Sequence, residues 1–231
     1  MKAKDVMTGN VFTVRADTPV PEIARLLLER HISALPVVDA ENRLLGIVSE
    51  SDLMRRPETG TQRRLSWWLR IFADRDTLAR EYSKSHGSVA QTVMTPDVVT
   101  VNEETELADI AQILERKRIK RVPVVRDGRL VGIVSRANLL QGLAVKRDNI
   151  GNDVTVDDTR IRAQLLQILR NQPWVSRGTL NVVVSDGVVH LYGLVASSAE
   201  HDALLVAAKE VKGVRAVEDH LHLRDLYADT T

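Results

Sequence analysis

Leu35-Pro36-Val37-Val38, followed by Gly46-Ile47-Val48-Ser49-Glu50-Ser51-Asp52, is the stretch that decides the fold. Two apolar runs flank Asp39-Ala40-Glu41-Asn42 and read as a buried hairpin. Ser49, or Ser51, then opens a short helix. The same stretch occurs again. Pro36-Val37-Val38 recurs as Pro123-Val124-Val125, and Gly46-Ile47-Val48-Ser49 as Gly132-Ile133-Val134-Ser135. Working outward, Met7-Thr8 recurs as Met94-Thr95, Val11–Val14 (VFTV) as Val98–Val101 (VVTV), and Ile23-Ala24 as Ile110-Ala111. The second copy is one residue shorter, and the loss falls in the turn, at Arg126-Asp127-Gly128. Turns tolerate such a change best. So many identities in one order establish an internal duplication.

Each copy reads as β-α-β-β-α. The VFTV and VVTV runs are strand-like. Asp17-Thr18-Pro19 offers a cap and a proline for a helix start, and Thr105 does so in copy two. Ile23, Leu26, Leu27 and Arg30 then follow a helical stripe, matched by Leu107, Ile110, Ala111 and Leu114. Beyond the duplication, Arg147–Asp153 (RDNIGND) is polar and reads as a linker. A helix carrying Ile161, Leu165, Ile168 and Leu169 follows. Leu180–Val184 alternates like a strand, Asp186-Gly187 makes a turn, and Val188–Val195 returns. A helix over Ala199–Val211, a glycine at Gly213 and an alternating strand over Val214–Leu223 complete an α-β-β-α-β order.

The bulk composition narrows the classes. Of 231 residues, 44% are hydrophobic and 27% charged, the profile of a globular protein. Lys plus Arg (32) balances Asp plus Glu (31), so no global field draws the chain to nucleic acid or membrane. There is no cysteine, which removes thiolate nucleophiles and cysteine-based zinc sites. The N-terminal residues lack the apolar core of a signal peptide, and no run has the length of a membrane span, so the expected location is cytoplasmic. No nucleophile–base pair, metal motif or Walker-type loop stands in the sequence, and no enzyme is expected.

At the duplicated motifs the chain resembles the CBS domain family, whose members work in tandem pairs called Bateman modules. The Val-Met-Thr start, the Pro-Val-Val strand and Gly-Ile-Val-Ser-x-x-Asp/Asn carry the likeness. At Gly187, Val189, Leu191, Gly193, Val195, Ser198, Glu200, Gly213, Val214 and Val217 the C-terminal part resembles the BON domain family. The fold class expected is therefore α/β (α+β): two CBS repeats in a pseudo-symmetric module and a small BON domain. The segments are 1–56 for repeat 1, 57–90 for an aromatic helical insert, 91–146 for repeat 2, 147–153 for a linker and 154–226 for the BON domain.

The resemblance implies adenosine nucleotides (AMP, ADP, ATP or related) as regulatory ligands, bound in clefts of the CBS pair, with no required cofactor. By motif position the ligand-binding residues are Thr13, Ser33, Ala34, Pro36, Ser49 and Asp52 in copy one. In copy two they are Thr100, Lys120, Arg121, Pro123, Ser135, Arg136 and Asn138. The chemistry is coherent: a helix N-terminus beside Ser49 favours an anion, and Asp52, one turn on, can accept two hydrogen bonds from a ribose diol. The plain alternative is that Ser-x-x-Asp only starts a helix. The copies differ. Asp52 becomes Asn138, Ser33-Ala34 becomes Lys120-Arg121, and Glu50 becomes Arg136. Copy one thus carries the ribose argument and copy two the phosphate argument.

The resemblance also implies a homodimer, and a phospholipid or protein partner for the BON domain; nucleic acid is not expected. The function expected is a cytoplasmic regulatory sensor, with a scaffold bearing vestigial clefts as the alternative. Trp67, Trp68, Phe72 and Tyr82 concentrate in the insert, where local packing, self-association and membrane contact all remain open readings. His190, His220 and His222 read either as solvated sheet-face residues or as metal ligands.

Overall fold

A computed structural model describes residues 1–54, 86–148, 156–176 and 178–224. The aromatic insert, with Trp67, Trp68, Phe72 and Tyr82, lies outside the described residues, as does most of the expected linker. The chain divides into two compact units that do not follow its linear order. One comprises Phe12–Val99 with Asp127–Leu130. The other comprises Met1–Val11, Thr100–Arg126 and Val131–Thr231.

In the first unit, α2 (Val20–Arg30) precedes the antiparallel hairpin β1 (Ala34–Val38) and β2 (Leu44–Ser49), then α3 (Glu50–Leu53) and α4 (Ala90–Val93). Val14, Ile23, Leu27, Leu35, Val37, Val48, Ala90 and Val93 form its core. The VFTV run expected as a strand pairs at a single residue, Val14, against Val37. Val14 N–H donates to the Pro36 carbonyl and its own carbonyl accepts from Val38 N–H. Pro36 has no N–H to offer, so this arrangement leaves no donor unsatisfied there. The chain then turns away. Thr18 Oγ1 accepts from Arg15 N–H at 2.9 Å, closing a turn instead of capping the helix, and Pro19 takes the N-cap position. At the other end of α2, Arg30 lies over the Phe12 ring at 4.9 Å, a cation–π contact.

In the second unit, α1 (Ala3–Val6), α5 (Leu107–Arg116), β3 (Arg121–Arg126), β4 (Arg129–Ser135) and α6 (Arg136–Asp148) form the part built around the second copy. Its tip, Asp127–Leu130, is counted with the first unit. Again VVTV contributes one bridge, Val101 to Val124, and Thr105 Oγ1 accepts from Asn102 N–H instead of capping α5. The remainder is α7 (Val156–Arg170), β5 (Asn181–Ser185), β6 (Val188–Val195), α8 (Ser198–Glu210) and β7 (Ala216–Leu223), the α-β-β-α-β order expected. The sheet runs β5-β6-β7, antiparallel then parallel. Asp186 (φ 51°) and Gly187 (φ 72°) form the tight turn. Asp158 anchors it by accepting from Gly187 N–H at 2.7 Å. Val182, Val184, Val189, Leu191 and Val195 meet Ile161, Leu165 and Leu204 in the core of this part.

The two Met-Thr motifs explain why each unit combines segments of both copies. Thr8 pairs with Ile133 of β4, and Thr95 pairs with Ile47 of β2. A Cβ at Gly132 would lie 2.5 Å from Met7 Sδ, and one at Gly46 would lie 2.6 Å from Met94 Sδ. Each methionine therefore packs on the glycine of the other copy's motif. We expect Gly46→Ala and Gly132→Ala each to cost about 1–3 kcal/mol by overpacking, whereas Gly9→Ala, with nothing within 4 Å, stays within about 0.5 kcal/mol; thermal unfolding measures all three.

His201 on α8 lies 3.1 Å from Asp202 and 2.8 Å from Asp219 of β7. Hydrogen bonds to Asp202 first and Asp219 next raise its pKa above the ordinary value. Its stabilisation is full below the unfolded pKa of about 6.5 and is lost as pH rises through the elevated folded value. Asp219→Asn should lower the His201 midpoint in an NMR titration, and the stability gap to the parent should shrink with rising pH.

Candidate ligand-binding site

The copy-one residues lie together in the first unit. Ala34 pairs with Ser49 across the hairpin, and Pro36 pairs with Ile47. Glu50 N–H donates to the Ser33 carbonyl at 3.1 Å, which fixes the start of α3 beside β1. Thr13 sits next to Val14, the residue bonded to Pro36. Asp52 Oδ2 accepts from Ser49 N–H at 2.9 Å and from Ser49 Oγ at 2.6 Å. Ser49 Oγ also lies 2.7 Å from Ser51 Oγ. The Ser-x-x-Asp pattern is thus a helix-start box, with Asp52 half-buried and Ser49 turned toward it.

In the second unit, Ser135 and Asn138 repeat that box. Asn138 Oδ1 accepts from Ser135 N–H at 2.8 Å and from its hydroxyl at 2.7 Å. The amide nitrogen does something Asp52 chemically cannot do. It donates to the Val6 carbonyl at 3.1 Å and to Thr8 Oγ1 at 3.2 Å, and Asn138 is 3% exposed. Both ends of the amide are used inward. Nearby, Arg136 N–H donates to the Lys120 carbonyl, which brings the two basic residues together as Ser33 and Glu50 are brought together in copy one. Arg136 also donates weakly to the Ile119 carbonyl. Lys120 and Arg136 are exposed, Arg121 is half-buried, Pro123 is buried and bonded to Val101, and Thr100 lies exposed beside that contact.

His222 is exposed and His220 half-buried, whereas His190 differs from the solvated reading. His190 is buried, and its ring stacks 6.4 Å from Tyr192 and 5.9 Å from His220. Tyr192 and His220 stack at 4.5 Å. Among the described residues no group of three or more His, Asp or Glu is arranged to hold a metal. Nor is any described helix long and apolar enough to cross a membrane.

Sequence reasoning missed two participants. The Met-Thr partners of the glycines carried a signal, since both motifs recur with the duplication. Arg162, buried on α7, carried none.

The pattern of the CBS domain family matches residues 3–58 and 89–145, and that of the BON domain family matches residues 157–225. The chain belongs to the CBS domain family, with a tandem pair of CBS segments followed by a BON domain. It is 33% identical over 155 residues to the CBS domain-containing protein CBSX2, chloroplastic, of Arabidopsis thaliana. It is also 33% identical over 152 residues to CBSX1, chloroplastic, of the same plant. Each match covers 62% of this chain and 64% of the relative, so the chain spans less than two thirds of those proteins. A crystal structure of CBSX2 in complex with AMP superposes with a TM-score of 0.55 at 31% identity, covering 65% of this chain and 99% of that one. Similarity to an inosine-5'-monophosphate dehydrogenase of Methanocaldococcus jannaschii extends over only 23% of the enzyme.

Asn138→Ala strands the Ser135 N–H and empties a buried amide site, so it should cost about 2–3 kcal/mol. Asp52→Ala, at a half-buried box, should cost about 1 kcal/mol. Chemical denaturation of the two variants checks that order.

Proposed function

We propose that this protein is a regulatory sensor of adenine nucleotides that binds AMP or a related nucleotide in its CBS pair and passes the state to a partner. One observation carries this reading: Ser49 and Asp52, at the end of β2, form a hydroxyl–carboxylate pair in a CBS fold similar to that of CBSX2, which has been crystallised with AMP. In copy one the Asp52 carboxylate supplies acceptors for a ribose diol. In copy two the exposed Lys120 and Arg136, with Arg121, supply positive charge for phosphate, while Asn138 is occupied inward. The two candidate sites, one in each copy, are therefore unequal, as the substitutions between the copies suggest. We propose a homodimer as the working assembly, a protein or phospholipid surface as the partner of the BON domain, and no catalytic role.

A second reading, a scaffold with vestigial sites, has its own support. Ser49 Oγ is bonded to Asp52, and the Asn138 amide is fully used within the protein. Calorimetric and thermal-shift titration with AMP, ADP, ATP and S-adenosylmethionine separates the two. On the sensor reading AMP binds and raises the melting temperature. Asp52→Ala then weakens AMP about tenfold or more, the worth of a charged hydrogen bond, while Asn138→Ala affects binding less. Flat titrations with all four ligands would establish the scaffold. Equal, unimpaired binding by both variants would remove the ribose role of Asp52.

A further inference from the structure

Three buried polar side chains converge on two adjacent backbone carbonyls. The Val6 carbonyl accepts from Asn138 Nδ2 of α6 at 3.1 Å and from Asn181 Nδ2 of β5 at 3.0 Å. The Met7 carbonyl accepts from Arg162 Nη2 of α7 at 2.7 Å. Arg162 Nε also donates to the Val182 carbonyl at 2.8 Å, and Asn181 Nδ2 donates to Gln141 Oε1 at 2.6 Å. Beside these bonds Val183 of β5 packs against Val6 and Val145, all three buried. Strand β5 is thus buried on both faces. Val182 and Val184 enter the core of the BON part, and Asn181 and Val183 face the CBS part of the same unit.

These contacts are costly ones. Burial holds the Arg162 pKa down to about 10, with the nearby Asp5 charge opposing the shift. Asn181 Oδ1 is buried with no partner among the described residues. Apolar side chains would hold two surfaces together at less cost, whereas a buried guanidinium tolerates only the arrangement that supplies its acceptors. The junction is therefore specific in geometry and abrupt in failure. It also touches the candidate site. Thr8, the next residue, exchanges two backbone hydrogen bonds with Ile133 of β4, two residues before Ser135.

We propose that Val6–Thr8 is a latch through which the Ser135–Asn138 turn of copy two and the BON domain sense each other's state, with Arg162 and Asn181 as its positioning residues. The BON domain is then an integral reporter of copy two and not a tethered module. This goes beyond the nucleotide reading and holds whether or not a nucleotide binds.

Hydrogen–deuterium exchange on the full chain tests it from both sides. Asn181→Ala, which also removes a buried unpaired oxygen, should speed exchange in Ala3–Thr8 and in Ser135–Gln141 by about tenfold, within the usual range of coupling between sites. Asn138→Ala should speed exchange in Asn181–Ser185 to a similar degree. In both variants the β6–β7 ladder should keep its parent rate, which a general loss of BON stability would not permit. Arg162→Lys, which keeps the charge but not the fixed fork of donors, should fall between the parent and Arg162→Met. Unchanged exchange across the junction in Asn181→Ala and Asn138→Ala overturns the proposal, as does loss of the β6–β7 ladder along with it. If Arg162→Met does not fold, the two asparagine variants decide.

Discussion

A methionine side chain lying where a Cβ would stand is the contact on which the CBS parts depend. Met7 closes on Gly132 and Met94 on Gly46, and each following threonine bridges the same strand. Because each Met-Thr belongs to one copy and its glycine to the other, neither repeat is complete from its own residues. Val20 N–H bonds to the Ser88 carbonyl and Leu107 N–H to the Met1 carbonyl, so the starts of α2 and α5 each rest on residues distant along the chain. The glycines serve through close approach and not through unusual backbone angles, since neither has a positive φ.

From that common frame the helix-start boxes of the two copies diverge by one substitution, Asp52 against Asn138. An aspartate and an asparagine close the same box with the same oxygen, but only the amide has donors left over. In copy two those donors reach Val6 and Thr8, and the position becomes part of the interior. In copy one the carboxylate stays half-buried at the surface. A substitution that looks like lost ligand chemistry is, in the folded chain, gained attachment. The basic residues Lys120 and Arg136 remain exposed around it, so charge and carboxylate are divided between the copies.

The duplication, the hairpins, the helices after them and the order of the C-terminal elements were all legible in the sequence. Each rests on local patterns: alternation, helical stripes, Asp-Gly turns and repetition itself. The strand-like VFTV and VVTV runs misled because β-branched composition reports a pleated environment, not the length of partner available. Thr18 and Thr105 misled because a hydroxyl near a helix start can as readily close the preceding turn. The candidate site was legible as residue types, but not as directions. No pattern announces that the Asn138 amide faces inward, because Val6 is 132 residues away along the chain.

Arg162 marks the same boundary most clearly. In sequence it is one cation on an amphipathic helix, indistinguishable from its exposed neighbour Arg160. In the fold it is buried, with a carbonyl from β5 on one side and the Met7 carbonyl on the other. The sequence by itself determined the hairpins and the long helices, that they form twice, and which families they belong to, because those features are written in short-range periodicity and recurrence. Tertiary structure alone decided which copy owns each Met-Thr segment, which way Asn138 points, and where β5 finds its second face. Those outcomes depend on where distant carbonyls and apolar surfaces meet, and a linear pattern does not encode that distance.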